Sequence, residues 1–520
     1  MKTKTVRNLR RLSQGLFLLI FLFLFIQTES KGADELGYPV KFFLDFDPLI
    51  FISTLLSAHA IVKGFYLSII VIVLTAILGR VFCGWICPLG TLNNVVGYFN
   101  KRLSSTIHTN WYAFKYYILF FILASSLFTA QLAGIMDPIS LLIRSLSLSI
   151  YPLLNYLTRA LFDTVYNLNI PVIVDGSELI YSMLKKDFLS FRQPYFLQGI
   201  FIGILFLSVL GLNLYEKRFW CKYLCPLGAL LGILSRFSVL NRSVSEGCTS
   251  CGVCEKVCPS DAITDSAGNW RKSECLYCMD CDDLCPHNAI SFGFKKANKL
   301  IPLDLSKRNT LVSITAGIAA VPLLRIIPQS GIRHLNPALI RPPGALKEED
   351  FLRRCVRCGE CMKVCITNGL HPTLLDAGLE GIWTPKLVPI IGYCEFRCTL
   401  CGQVCPTGAI TRLSLPEKEK TKIGTALIDK GRCLPYAFNI PCIVCEEVCP
   451  TPKKSIWFET VKVKDRTGKE IILKQPRVDI QLCVGCGICE TKCPVKGKPA
   501  IYIISANESR SEDNQILLKL

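Results

Sequence analysis

At 520 residues the chain is long enough for several domains, and 51% hydrophobic residues with a mean hydropathy of +0.38 exclude an ordinary soluble protein, so part of it is expected in a membrane. The formal net charge of +19 is spread along the chain with no basic run interleaved with aromatics, which argues against nucleic acid and for membrane topology and lipid contact. Its 28 cysteines fall into local clusters with metal-ligand spacing, unlike the disulfide framework of a short secreted chain.

In chain order, residues 12–27, LSQGLFLLIFLFLFIQ, follow Lys2, Lys4, Arg7, Arg10 and Arg11, the basic and apolar regions of a signal peptide. No small-x-small cleavage site follows cleanly in QTESKGADELG, so a retained first helix is expected. The apolar stretch 49–62 reads as re-entrant or interfacial. Further spans are expected at 64–82, 115–135 and 195–215, each near the ~20 apolar residues that cross a bilayer. The basic N-terminus, Arg80 with Lys101 and Arg102, and Lys217 with Arg218 and Lys222 place those segments in the cytoplasm. Segment 137–194, with Arg144, Arg159, Lys185 and Lys186, is then outside and reads as amphipathic surface helix.

Two segments nearly repeat each other: RVFCGWICPLGTL, residues 80–92, and RFWCKYLCPLGAL, residues 218–230. Cys83 with Cys87, and Cys221 with Cys225, share one face if helical, and in a pseudo-repeat the two pairs are expected to face each other. They read either as a joint redox or metal centre or as structural thiols. Arg80 and Arg218 read either as partners of an anionic cluster or as ordinary positive-inside anchors.

The remaining 24 cysteines form six groups of four. Four have CxxCxxCxxxC spacing: Cys248, Cys251, Cys254, Cys258; Cys275, Cys278, Cys281, Cys285; Cys355, Cys358, Cys361, Cys365; and Cys483, Cys486, Cys489, Cys493. Cys394, Cys398, Cys401, Cys405 have one extra residue in the first gap, and Cys433, Cys442, Cys445, Cys449 a longer first gap. In this pattern three close-set thiolates hold one cubane while the fourth, usually followed by Pro, reaches the other cluster of a pair. Five of the six motifs have that Pro, and Ile366 replaces it in the third. Zinc knuckles use two separated CxxC pairs instead. Six 4Fe-4S clusters are therefore expected. Crossing pairs Cys248, Cys251 and Cys254 with Cys285, and Cys275, Cys278 and Cys281 with Cys258; the other four motifs can be matched in more than one way.

Between the first two motifs and the rest lies SKRNTLVSITAGIAAVPLLRIIP, residues 306–328, followed by the Pro-rich linker NPALIRPPGALKEED. It resembles a twin-arginine export signal with Lys307 in place of the first Arg, used as a fifth span; the alternative is a cytoplasmic interfacial helix or plain linker. The tail after Ser505 reads as disordered. The fold class that follows is an α-helical membrane domain of about four to five transmembrane helices plus α+β ferredoxin-like 4Fe-4S domains.

These motifs carry a family resemblance. Residues 1–300 resemble NapH, a membrane component with paired CxxxCP motifs and two 4Fe-4S clusters. CVRCGECMKVC followed by GLEGIWTPKLVPIIGYCEFRCTLCGQVCPTGAI makes residues 306–505 similar to NapG, of the MauM/NapG ferredoxin type with four clusters. The chain thus resembles a natural fusion. Its expected parts are a membrane domain at 1–240, a two-cluster domain at 241–300, an export-like segment and linker at 301–345, a four-cluster domain at 346–505 and a tail at 506–520. The resemblance implies the electron-transfer component of a quinol dehydrogenase in the bacterial cytoplasmic (inner) membrane. It would take electrons from membrane quinol and pass them to a periplasmic nitrate or nitrous oxide reductase or a cytochrome, with the C-terminal ferredoxin domain periplasmic.

The residues support a wire more than an enzyme, since no GxGxxG after a strand, GxxxxGK[ST] loop or CxxCH is present. Of five histidines, His59, His108, His287, His334 and His371, only His59 and His108 lie near the membrane part, too few for a bis-histidine diheme cytochrome b. His59, His108 and Asp137 are candidate acceptors of a quinol proton. With domains on opposite faces, ~30 Å of hydrocarbon separates the cluster sets, so quinol, a partner subunit or a centre at Cys83, Cys87, Cys221 and Cys225 must bridge them. The alternatives in other classes are a copper reductase or assembly factor for a respiratory metalloenzyme, and a non-enzymatic cluster protein that senses or structures a complex.

Overall fold

The computed structural model describes residues 3–30, 34–37, 40–60, 64–100, 109–167, 171–264, 269–294, 300–325, 336–464 and 470–516. Lys101, Arg102, His108 and His334 lie outside them. The main helices are α1 (Thr3–Gln27), α2 (Pro48–Ala58), α3 (Tyr66–Leu78), α4 (Pro88–Tyr98), α5 (Phe114–Leu127), α6 (Pro138–Ser145), α7 (Tyr151–Asn167), α8 (Pro171–Asp187), α9 (Gly199–Tyr215), α10 (Pro226–Ser235) and α11 (Lys307–Arg325). By contact the chain divides into two units: Met1–Gln27, Pro39–Leu146 and Ile200–Leu323 form the first, and Thr28–Tyr38, Ser147–Gly199 and Leu324–Leu520 the second.

In the first unit α1 is part of the packing. Its Gln14 Nε2 donates to the Gly84 carbonyl (2.6 Å) and Ser13 Oγ to that of Trp85 (3.2 Å). Asp47 and Asp137 cap α2 and α6, each accepting backbone N–H bonds at a helix that opens on proline. The apolar helices turn polar residues inward and apolar ones outward. Ser68 and Thr75 of α3, Lys115 and Ser125 of α5 and Asn213 of α9 are buried, while Ile69, Ile70 and Val73 of α3 and Ile200, Phe201 and Ile204 of α9 are exposed. Among the described residues one helix, over Thr5–Gln27, is long and apolar enough to cross a membrane; α2, α3, α5, α9 and α10 are apolar but shorter. The expected spans are cut short locally: Gly79 at φ 81° ends α3 and Thr129 at φ 71° follows α5.

The cysteine-rich end of this unit is built on two small sheets. β1 (Asn241–Val244) pairs antiparallel with β3 (Ile290–Gly293), and β2 (Trp270–Arg271) parallel with β4 (Leu300–Ile301). The basic end of α1 docks on it: Arg10 makes two bonds of 3.1 Å to Asp280, and Arg7 pairs with Asp283.

The second unit contains α7 and α8, whose Phe162 and Tyr181 rings lie 5.1 Å apart, and three antiparallel two-stranded sheets. These are β5 (Leu370–Pro372) with β6 (Pro385–Leu387), β7 (Thr425–Ile428) with β10 (Ile501–Ile504), and the ladder β8 (Ile456–Lys464) with β9 (Glu470–Val478). The expected disorder after Ser505 is not what the structure has. Arg510 pairs with Glu348 and Glu508, each at 2.6 Å, and Asn514 Nδ2 donates to the Ser505 carbonyl at 3.0 Å. A buried ion-pair network is what ties down a sequence that reads as polar tail.

Candidate metal centres and the paired cysteine motifs

In the second unit the motifs converge three plus one. Cys355, Cys358 and Cys361 line one pocket with Cys405. Cys394, Cys398 and Cys401 line another with Cys365, and Cys433, Cys442 and Cys445 a third with Cys493. Cys483, Cys486 and Cys489 each have Cys449 as an electrostatic neighbour. The third motif therefore crosses with the fourth and the fifth with the sixth, the choice the spacing alone leaves open. In the first unit Cys258 lies beside Cys275, Cys278 and Cys281, while Cys254 and Cys285 pack around Ile263 and Ile290.

Local chemistry explains the loops. Gly252, Gly359 and Gly487, at φ 73°, 86° and 86°, turn the chain into the short helices that carry the third cysteine of their motifs. Behind the fourth cysteines, small residues bring backbone N–H groups to sulfur: Ala262 to Cys258 (3.3 Å), Ala289 to Cys285 (3.4 Å), Ile410 to Cys405 (3.4 Å) and Ala500 to Cys493 (3.4 Å). Such bonds stabilise thiolate and tune a bound cluster. All the cysteines are free thiols, and among the described residues no three Cys, His, Asp or Glu side chains converge as a single-ion site. Sulfur donors from two motifs, spread around a cavity, suit a multi-iron cubane better than one ion. Burial pushes the thiols up, Cys275 and Cys355 to about 11 and Cys398 to about 12, so cluster binding must displace protons.

The paired motifs occupy matched places in the first unit. Cys83 lies in a five-residue π-helical turn, Phe82–Ile86, and Cys221 in another, Trp220–Leu224; Cys87 and Cys225 follow as the N-caps of α4 and α10. The structure brings all four together: Cys83 neighbours Cys221, Cys87 neighbours both, and Cys225 neighbours the other three. Arg80 hydrogen-bonds Cys83, and Arg218 donates to the Cys83 carbonyl (3.4 Å) and to Asn94 Oδ1 (2.6 Å).

Sequence reasoning missed three groups. Glu274, next to Cys275, is buried and accepts from Arg80 (3.2 Å), Tyr116 (2.7 Å) and Lys115. Burial alone would raise its carboxyl, but Lys115 and Arg80 outweigh that and hold it below the usual range. Asn93 donates to Cys221 Sγ at 3.5 Å. Asp47 meets Asp137 in a fully buried carboxyl pair, both pushed upward by burial; the repeated Asp-Pro of FDPLI and MDPIS was the available signal. Of the candidate proton acceptors, His59 is exposed, His108 lies outside the described residues, and Asp137 is in this pair.

A family described as 4Fe-4S binding domain matches residues 64–106, 198–245 and 400–416, and a second of the same description matches 244–264. The chain carries ferredoxin-type 4Fe-4S binding domains. The first family covers both CxxxCP repeats. Among curated proteins, YccM of Escherichia coli, whose name places it in electron transport, is 29% identical over 257 residues, 48% of this chain and 60% of YccM. The methylamine utilization ferredoxin-type protein MauM of Methylorubrum extorquens is 43% identical over 101 residues, 19% of this chain and 44% of MauM. The ferredoxin-type protein NapG of Escherichia coli is 34% identical over 128 residues, 24% of this chain and 54% of NapG. The chain thus spans about half the length of these curated relatives. No solved structure is significantly similar to it.

Proposed function

We propose that this chain is a multi-pass inner-membrane polyferredoxin. It takes electrons from membrane quinol and passes them through six 4Fe-4S clusters to a periplasmic reductase or cytochrome of the nitrate or nitrous oxide reductase type. The observation that carries the reading is the three-plus-one convergence of cysteines from paired motifs. The ligand sets are Cys248, Cys251, Cys254 with Cys285; Cys275, Cys278, Cys281 with Cys258; Cys355, Cys358, Cys361 with Cys405; Cys394, Cys398, Cys401 with Cys365; Cys433, Cys442, Cys445 with Cys493; and Cys483, Cys486, Cys489 with Cys449. Bound there, such clusters supply one-electron transfer; the protein sets their spacing, burial and hydrogen bonds. The names of YccM, an electron transport protein, and of NapG and MauM, ferredoxin-type proteins, support electron transfer as the role.

The membrane reading rests on the outward apolar and inward polar faces of the helices, the arrangement that lipid favours and water does not. The proposed sidedness has five crossings, a periplasmic C-terminal half, and a cytoplasmic N-terminus and two-cluster domain. Arg7 and Arg10, the basic residues expected inside, are paired with that domain's Asp283 and Asp280. The test is EPR on the full chain, purified anaerobically into lipid and mixed with menaquinol, with dithionite as full-reduction control. Cluster signals are expected with menaquinol alone; signals that need dithionite would overturn quinol as donor.

A further inference from the structure

We propose that Cys83, Cys87, Cys221 and Cys225 jointly hold one further iron-sulfur cluster, seated against the Cys275–Cys278 loop of the two-cluster domain. Both pairs stand on the same device. The turns close from Cys87 N–H to the Phe82 carbonyl (3.0 Å) and from Cys225 N–H to the Trp220 carbonyl (2.9 Å), each spanning five residues instead of four. Such π-turns are rare and concentrate at functional sites. A pair of inert core thiols does not require the same irregular turn twice.

The surroundings are those of a bound anion. The sulfur of Cys225 accepts the Gly228 N–H at 3.2 Å. A Cβ at Gly228 would lie 2.9 Å from the Arg80 guanidinium, and one at Gly90 2.9 Å from the Cys83 carbonyl. Both positions therefore keep space that a side chain would take. Four thiolates around either a [2Fe–2S] or a [4Fe–4S] core in its oxidised state leave a doubly negative group, and Arg80 and Arg218 supply two buried positive charges beside it. Lys222, adjacent to Cys221, is already taken by Glu216 and Asp261, each at 2.6 Å.

The site is also placed to conduct. A side chain at Gly84 would run into the Leu276 carbonyl, Trp85 Nε1 donates to the Tyr277 carbonyl (3.1 Å), and Arg80 donates to the Ser273 carbonyl (2.8 Å). The turn bearing Cys83 thus rests directly on the loop between Cys275 and Cys278. Its role as first acceptor rests on the proposed quinol reading: quinol releases two electrons and two protons in becoming quinone, the electrons enter this centre one at a time, and the protons leave to water. The cluster itself does not depend on that reading.

The experiment compares iron, acid-labile sulfide and Mössbauer spectra of the anaerobically purified full chain with those of a C83S/C221S variant. The variant is expected to lose about two irons for a binuclear centre or about four for a cubane, with the ferredoxin-type signals retained as the control for folding. Unchanged iron and spectra in the variant would overturn the assignment, as would copper bound at these thiols in the wild type. Native mass spectrometry of the wild type needs no variant. Iron and sulfide mass beyond six cubanes is expected, and a mass equal to six would overturn the proposal. Wild-type protein with its full iron content that menaquinol fails to reduce would instead count against the quinol reading alone.

Discussion

Glu274 shows at the level of one residue how the helices of the first unit hold its cysteine-rich end. It pairs with both Arg80 and Lys115, so removing it leaves two buried cations facing each other. Glu274→Ala is expected to destabilise the first unit by about 3–5 kcal/mol, measured as a lowered unfolding midpoint in detergent, while an exposed carboxylate such as Glu349 tolerates the same change. His371 gives a pH test in the second unit. It is buried against Phe196, with Nε2 2.9 Å from the Asn368 carbonyl, and burial lowers it to about 4. Unfolded, it binds a proton near pH 6.5. Stability is therefore whole above pH 6.5 and falls as pH drops toward 4, by up to about 3 kcal/mol. His371→Gln is expected to flatten that slope in an acid unfolding series. Neither group was legible in the sequence, because their partners lie far away in the chain; the cluster cysteines were, because their ligand spacing is local.

At the level of elements, local signals translated well and distant pairings did not. The Pro opening α4 and α10 and the CxxxCP repeat were read; the Asp-Pro caps of α2 and α6 stood in the sequence as a local signal that was missed. The widening of both repeats into π-turns was not, since a single extra residue in a turn has no signature in hydrophobic period. Crossing between the third and fourth motifs and between the fifth and sixth needed the folded chain. The C-terminal segment departed most: in a tail expected to be disordered, Glu508 and Arg510 face inward and pair, while Glu512 and Asp513 stay exposed. Burial would raise Glu348, but Arg341 and Arg510 outweigh it and hold the carboxyl at about 2. Arg510→Ala is expected to loosen the C-terminal half, seen as faster proteolysis after Ser505; cleavage at the wild-type rate would restore the disordered tail.

For the whole molecule, one helix among the described residues is long and apolar enough to span by itself, and the other apolar helices are shorter, with exposed apolar side chains. That difference explains why hydropathy windows drew longer spans than the helices have. The proposed sidedness makes a direct expectation: alkaline phosphatase fused after Ile516 is active, and fused after Gly293 it is inactive. The most direct test of the central claim is conduction through the chain. Proteoliposomes are loaded with menaquinol, and membrane-impermeant ferricyanide is added on the side that carries the C-terminus. Wild-type protein is expected to oxidise the quinol pool, and a Cys358→Ala/Cys489→Ala variant, which removes ligands from two clusters of the C-terminal half, to stop doing so while its other clusters still become reduced. Equal quinol oxidation by variant and wild type, or none by either, would contradict the account.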